Sequence, residues 1–298
     1  MASPFHAGEL AVQARAGVQE MAARVGRGIH PELWPAAADF LEDQHLAVIA
    51  AADGNGAVWA SLLTGAPGFL RAANAHVLEI SARPPAGDPL ADVLAAGAEA
   101  GLVAIDLAAR RRVRVNGWVE GAGAGLRLAV RQAYGNCPKY IQARVVAGSL
   151  DPAAAIAARG TEMTDLQRAW IAAADTFFIA SRADGGGADA SHRGGAPGFV
   201  RVDDARELRF PDYSGNTMFN TLGNLAVDPR CGLLFVDFAR GATLQLTGRA
   251  EIEWDAPDPV RFPGAERIVS FAVEQVVETR GATGLRWGAA DPSPFNPG

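Results

Sequence analysis

The chain repeats itself. Gly65-Ala66-Pro67-Gly68-Phe69 returns 130 residues later as Gly195-Ala196-Pro197-Gly198-Phe199. Gly101-Leu-Val-Ala-Ile-Asp106-Leu-Ala returns after 131 residues as Gly232-Leu-Leu-Phe-Val-Asp237-Phe-Ala, and Asn116-Gly117 falls opposite Thr247-Gly248 at the same spacing. Three anchors in one order, with a single-residue slip between them, require two copies of one fold. Whatever the chain does, its structure must accommodate that internal symmetry, and the places where the copies differ are where chemistry is expected.

A chain of 298 residues can bury a large core and by length alone divides into about two domains, in agreement with the repeat. Nearly half of the residues are apolar, but no run is long and uncharged enough to span a membrane, so no membrane association is expected. The start, Met-Ala-Ser-Pro-Phe-His-Ala-Gly-Glu, lacks the basic and apolar regions of a signal peptide, and a cytoplasmic location is expected. The net charge of −6 argues against nucleic acid as a partner and requires any anionic ligand to be held by a local basic cluster. Cys137 and Cys231 fit no metal spacing and read as small buried hydrophobes. All but one of the 27 basic residues are Arg, which singles out Lys139.

Short apolar runs separated by Gly, Asn and Pro turns dominate both copies, as in the hairpin signature of Leu46–Ala52, Asp53-Gly54-Asn55-Gly56 and Val58–Leu63. Each half reads as about six short strands with one small helix, placed at Leu90–Ala100 in the first copy. That pattern predicts a mainly β (α+β) chain of small split-barrel type rather than a parallel α/β sheet. The expected division is a helical N-terminal segment at 1–38, copy 1 at 39–148, a helical connector at 149–172 and copy 2 at 173–298. Residues 8–25 read as a helix, and Arg110-Arg111-Arg112 as a solvated hairpin tip.

The copies diverge most in polar chemistry. Copy 2 carries Ser191-His192-Arg193 on a strand, with Ser191 and Arg193 sharing a face, where copy 1 has Ser61-Leu62-Leu63. Copy 2 then carries Pro211-Asp212-Tyr213-Ser214-Gly215-Asn216-Thr217-Met218-Phe219-Asn220-Thr221-Leu222-Gly223-Asn224, rich in amide and hydroxyl groups around a helix start. Backbone N–H groups there suit a phosphate; turn and cap roles for Asn216, Asn220 and Asn224 are the alternative. Copy 1 has Pro84-Pro85-Ala86-Gly87-Asp88-Pro89 instead. Its own special segment, Tyr134-Gly135-Asn136-Cys137-Pro138-Lys139-Tyr140-Ile141-Gln142, reads either as a polar turn or as a piece that completes a site on the other half. Arg286-Trp287 reads as a packing pair or as a stacking surface for a planar ligand.

These residues resemble those of the FMN-binding split-barrel proteins related to pyridoxamine 5′-phosphate oxidase. The likeness runs through Ser191–Val200, Pro211–Asn216, Phe219-Asn220-Thr221, Asp228–Phe235 and Leu244–Ala250. In the first half it includes Arg112-Val-Arg114-Val-Asn116-Gly117 and Asn136–Gln142. Phe5-His6-Ala-Gly8-Glu9 with Gln13-Ala-Arg15-Ala-Gly17 resembles the start of the family's long, two-copy branch. The resemblance implies two tandem split-barrel halves forming an intrachain pseudo-dimer, with FMN held where they meet and a single surviving site. It implies contacts from Ser191, His192, Arg193, Phe199, Asn216, Asn220 and Thr221, with Lys139 reaching in from copy 1. Asn220 and Thr221 stand where the oxidases carry basic residues. The implied activity is that of an FMN-dependent oxidoreductase acting on an unknown small molecule or NAD(P)H, with a separate reductase as a candidate partner. The chain would be a monomeric pseudo-dimer or a homodimer. A non-catalytic flavin carrier or sensor, and a split barrel that binds haem or F420, are the alternatives.

Overall fold

A computed structural model describes residues 3–122, 124–150, 154–184, 187–255 and 258–297. The N-terminal segment forms α1 (Ala7–Arg15), α2 (Gln19–Val25) and α3 (Pro35–Glu42). Copy 1 supplies β1 (Leu46–Ala52), β2 (Val58–Thr64), β3 (Leu70–Asn74), β4 (Val77–Ile80), β5 (Glu99–Asp106), β6 (Arg111–Ala122) and β7 (Leu126–Gly135). After β8 (Val146–Ser149), β9 (Ile156–Gly160) and α4 (Asp165–Ala173), copy 2 supplies β10 (Thr176–Ala183), β11 (Gly187–Gly194), β12 (Arg201–Val202) and β13 (Glu207–Tyr213). It continues through α5 (Asn220–Val227), β14 (Arg230–Asp237), β15 (Ala242–Glu253) and β16 (Ala265–Arg280), and β17 (Leu285–Trp287) follows. No helix among the described residues is long and apolar enough to cross a membrane.

The two sheets have one topology. Copy 1 runs β2-β1-β5-β6-β7-β4-β3 and copy 2 runs β11-β10-β14-β15-β16-β13-β12. Even the irregularities repeat: the β6–β7 register slips at Asn116/Gly117, and β15–β16 slips at Thr247/Gly248. The chain is therefore two tandem split barrels forming a pseudo-dimer within one polypeptide.

Each barrel has its own core, one around Ile49, Leu78, Leu102 and Val115 and the other around Ile179, Leu208, Leu233 and Leu246. A third core joins the halves. It gathers Val48, Ala50, Val103 and Ile105 of copy 1 with Phe178, Ala180, Leu234 and Val236 of copy 2. These strands bury both faces, which explains why β1, β5, β10 and β14 read as continuous apolar runs rather than alternating ones.

The recurring glycines mark the tightest approach. A Cβ on Gly101 would lie 2.5 Å from the Ala188 carbonyl oxygen and 2.6 Å from the Asp189 Cα. A Cβ on Gly232 would lie 2.4 Å from the Val58 oxygen and 2.8 Å from the Trp59 Cα. Each half thus presses its glycine against the same strand of the other, and the motif is conserved between copies because backbones touch there.

Three expected elements differ. Leu90–Ala98 is a run of turns, not a helix, and Glu99-Ala100 already belong to β5: the Asp88 carboxylate takes the Leu90 N–H at 2.8 Å, Leu90 and Leu94 are buried, and Gly97 at φ +89° turns the chain into the strand. The connector at 149–172 is helical only in its last third among the described residues. β8 pairs with β17, β9 pairs with the end of β16, and only α4, begun by a Thr164/Gln167 capping box, is helical. Open strand edges recruit this Ala-rich segment against its local propensity. The N-terminal helix is broken in two at Gly17, which adopts φ +70°.

Candidate functional site

A cleft of about 310 Å³ opens between the halves. β11 brings Ser191, His192 and Arg193 to it, the α5 start brings Asn216, Asn220 and Thr221, and Phe199 closes its apolar side. Lys139 reaches it from copy 1, together with Asn136, Cys137 and Tyr140. All eight residues singled out from the sequence therefore line one cavity.

The cleft also holds residues the sequence reading did not assign to it. Arg112 and Arg114 project from β6 of copy 1 into the copy 2 site. Arg112 is not a solvated hairpin tip. It donates to His192 Nδ1 at 2.7 Å and to the Cys137 carbonyl at 2.8 Å. Arg114 donates to both Asp189 oxygens at 3.0 and 3.1 Å, and also to Ser191 Oγ. The repeat carried a readable signal for both. At the 131-residue offset they face Thr243 and Gln245, the same basic-to-neutral difference that singled out β11. Cys137 likewise lies half-exposed in the cleft, whereas Cys231 is buried as expected.

Electrostatics sort these groups. Burial, reinforced by Arg112 and Arg193, holds the His192 imidazole well below its usual range, so the ring is neutral. Because Nδ1 accepts from Arg112, the ring proton sits on Nε2, which has no protein partner among the described residues; neither has the buried Thr221 hydroxyl. Burial, then the like charges of Arg114 and Arg193, lowers the Arg112 pKa. Arg193 pairs with Asp212 at 3.0 Å, and Arg267 holds the other Asp212 oxygen at 2.8 Å. Five cationic side chains and two carboxylates line the cleft of a chain whose net charge is −6. Unsatisfied donors in a cationic cleft are what an anionic, hydrogen-bond-accepting ligand requires.

The loop before α5 is shaped rather than relaxed. Thr217 and Phe219 take left-handed conformations at φ 61° and 59°, unusual for residues other than glycine. Gln13 of α1 donates to the Met218 carbonyl at 2.9 Å and holds the loop from below. From the other half, Asn136 Oδ1 accepts from Asn216 at 3.0 Å, and the Tyr140 hydroxyl donates to the Ser214 carbonyl at 3.0 Å. Asn224 faces away from the cleft, bonding His6 and Ser181. Asn220 lines the cleft, yet its amide donates to Glu9. Lys139 lies over the Phe295 ring at 5.9 Å. Trp287 packs edge-on against Phe238 in the third core, outside the cleft.

The counterpart corner in copy 1 is closed by the chain itself. Thr243, Gln245, Leu62 and Leu63 stand where the cleft has Arg112, Arg114, His192 and Arg193. The buried Asp88 carboxylate accepts from Ser61 at 2.5 Å and from Gln245 at 2.9 Å. Burial pushes its pKa up to about 6 from 3.8, so stability is highest below the unfolded value and falls as pH rises through that window. Relative to Asp88→Asn, the parent chain should lose about 2 kcal/mol between about pH 4.5 and pH 7, measured by urea unfolding at each pH. An unchanged difference would mean that Asp88 titrates normally.

Residues 163–286 match the family model described as pyridoxamine 5′-phosphate oxidase. Copy 2 is thus similar to the pyridoxamine 5′-phosphate oxidase family over the length of its half-barrel. The family match takes in β11, the shaped loop and α5, while Arg112, Arg114 and Lys139 come from the half outside it. Among solved structures, HupZ of Group A Streptococcus is similar at 13% identity, covering 38% of this chain and 90% of its own, with a TM-score of 0.30. A Clostridium acetobutylicum protein related to general stress protein 26 of Bacillus subtilis, of the pyridoxinephosphate oxidase family, is similar at 15% identity. It covers 40% of this chain and 88% of its own, with a TM-score of 0.30. The FAD binding protein from Mycobacterium smegmatis is similar at 13% identity over 40% of this chain and 98% of its own, with a TM-score of 0.27. No curated protein matches the chain.

Proposed function

We propose that the cleft binds FMN, about one molecule per chain, and that the protein is a flavin-dependent oxidoreductase acting on a small molecule. The observation that carries this reading is the cationic, donor-rich cleft in a family-type half-barrel, set against its plugged counterpart. The residues present fit such a group. Arg193, His192 Nε2–H and the Thr221 hydroxyl, with the N–H groups of the first turn of α5, suit a phosphate. The amide groups of Asn216 and Asn136 suit a polyol chain, and Phe199 and Tyr140 offer flat apolar walls. When bound, the flavin supplies the redox chemistry, accepting and passing on a hydride or electrons. The chain's part is to bind and orient the ligand and to place Lys139, Arg112 and Arg114 where a cation favours the reduced, negatively charged form.

Protein incubated with FMN and desalted should retain the visible absorption bands of flavin at about one equivalent per chain; a protein that stays colourless overturns the reading. Anaerobic bleaching by NADH or NADPH supports an enzyme, and failure to bleach with either favours the carrier. Arg193→Ala should weaken FMN binding by about 1.5–3 kcal/mol, roughly tenfold to hundredfold in Kd by fluorescence titration. Unchanged affinity would remove Arg193 from the site.

A further inference from the structure

Behind the cleft lies a second polar cavity of about 210 Å³, and Asn220 belongs to the walls of both. On the inner side Asn220 meets Glu9. Its amide nitrogen donates to Glu9 Oε1 at 2.5 Å, while Glu9 Oε2 accepts from the His6 backbone N–H at 2.8 Å. The contact is held in register by glycines: a Cβ on Gly8 would lie 2.3 Å from the Gly223 carbonyl oxygen, and a Cβ on Gly223 would lie 2.6 Å from the Glu9 Cα. α1 and α5 are therefore locked together with a buried carboxylate aimed at the one α5 side chain that separates the two cavities.

In this arrangement the Asn220 NH₂ is spent on Glu9, and its carbonyl oxygen is the end left for the cleft. That is the wrong end for an anion. We propose that Glu9 is a positioning residue for the ligand phosphate, acting through Asn220. On taking a proton, the Glu9 carboxyl donates to the Asn220 amide oxygen, the amide turns over, and its NH₂ faces the phosphate, so that a phosphomonoester binds together with a proton from solvent. The inference rests on the flavin reading above and adds to it a protonation step.

The charged surroundings permit that step near neutral pH. Burial pushes the Glu9 carboxyl up to about 7, the Asp189 charge on β11 acts in the same sense, and Arg114 on β6 opposes it. His6, 3.6 Å from Oε2, has its own pKa lowered by burial and brings no compensating charge at neutral pH. Arg131 of β7 lines the far side of the inner cavity. A phosphomonoester takes its second negative charge with a pKa of about 6, below the Glu9 value, so it is largely dianionic where Glu9 loses its proton.

Calorimetric titration of the full chain with FMN at about pH 8, in two buffers of different ionisation enthalpy, should show uptake of about one proton per flavin. Kd should rise about tenfold per pH unit above the Glu9 pKa. Glu9→Gln keeps a donor for Asn220 and an acceptor for the His6 N–H. It should bind FMN at about pH 8.5 as tightly as the parent does at pH 7, with a pH dependence within about twofold. FMN binding by the parent without proton uptake overturns the proposal and leaves the flavin reading intact. A pH dependence that survives Glu9→Gln also overturns it, because that variant retains Cys137 and every other titratable group of the cleft. No FMN binding at any pH overturns both.

Discussion

Arg114→Ala should destabilise the folded chain by about 3–5 kcal/mol, measured by urea unfolding, and should abolish measurable flavin binding. Arg114 and Asp189 are both buried, and the guanidinium donates to both carboxylate oxygens. Burial opposes the Arg114 charge, and Asp189 and Tyr134 together more than offset that effect. Without Arg114, Asp189 keeps the neutral donors Tyr134 Oη at 3.1 Å and Asn116 Nδ2 at 3.3 Å. An uncompensated buried carboxylate is the costly part of breaking such a pair. Removing Asp189 as well should therefore restore part of the loss, and Arg114→Ala/Asp189→Ala should be more stable than Arg114→Ala alone. A double variant no better than the single one would show that water reaches Asp189. The pair also spans the two halves, since Arg114 lies on β6 and Asp189 on β11. The same substitution thus removes a cleft cation and a tie across the pseudo-dyad.

Alanine at either dyad glycine should cost about 2–3 kcal/mol, because the added methyl meets main chain and neither strand can move without disturbing the apolar core between the halves. The two substitutions should part company in ligand binding. Gly101→Ala pushes on Ala188 and Asp189, next to the cleft, whereas Gly232→Ala pushes on Val58 and Trp59, next to the corner that Asp88 closes. Both variants should lose similar stability in urea, and only Gly101→Ala should also weaken FMN binding, by roughly tenfold. Equal loss of binding in both would mean that the cleft senses the whole interface rather than its nearer strand.

Much of this was legible in the chain. The Gly-Ala-Pro-Gly-Phe and Gly-Leu repeats implied two copies, and the period-two and continuous apolar runs implied short strands with one or both faces buried. Comparing the copies singled out Ser191-His192-Arg193, Asn216, Asn220 and Asn224, and all but Asn224 line the cleft. Local propensity misled where tertiary demands were strongest. Leu90–Ala100 is Ala-rich, yet its two buried leucines and the Asp88 side chain hold residues 90–98 in turns. The connector is Ala-rich as well, yet the unpaired edge of β16 draws β9 into the sheet.

The amino-acid sequence alone determined the duplication, the strand character of each half and the loss of basic residues from β2, because repeats and periodicity are local properties that survive without coordinates. Only the tertiary structure decided which half completes the site. Arg112 and Arg114 enter the copy 2 cleft because the pseudo-twofold packing sets β6 against β11, a juxtaposition between residues 75 or more positions apart. Glu9 reaches Asn220 across 211 positions for the same reason: Gly8 and Gly223 let two helices touch. Nothing in a linear pattern records that contact, since it depends on the absence of two side chains far apart in the chain and on the packing that brings their backbones together.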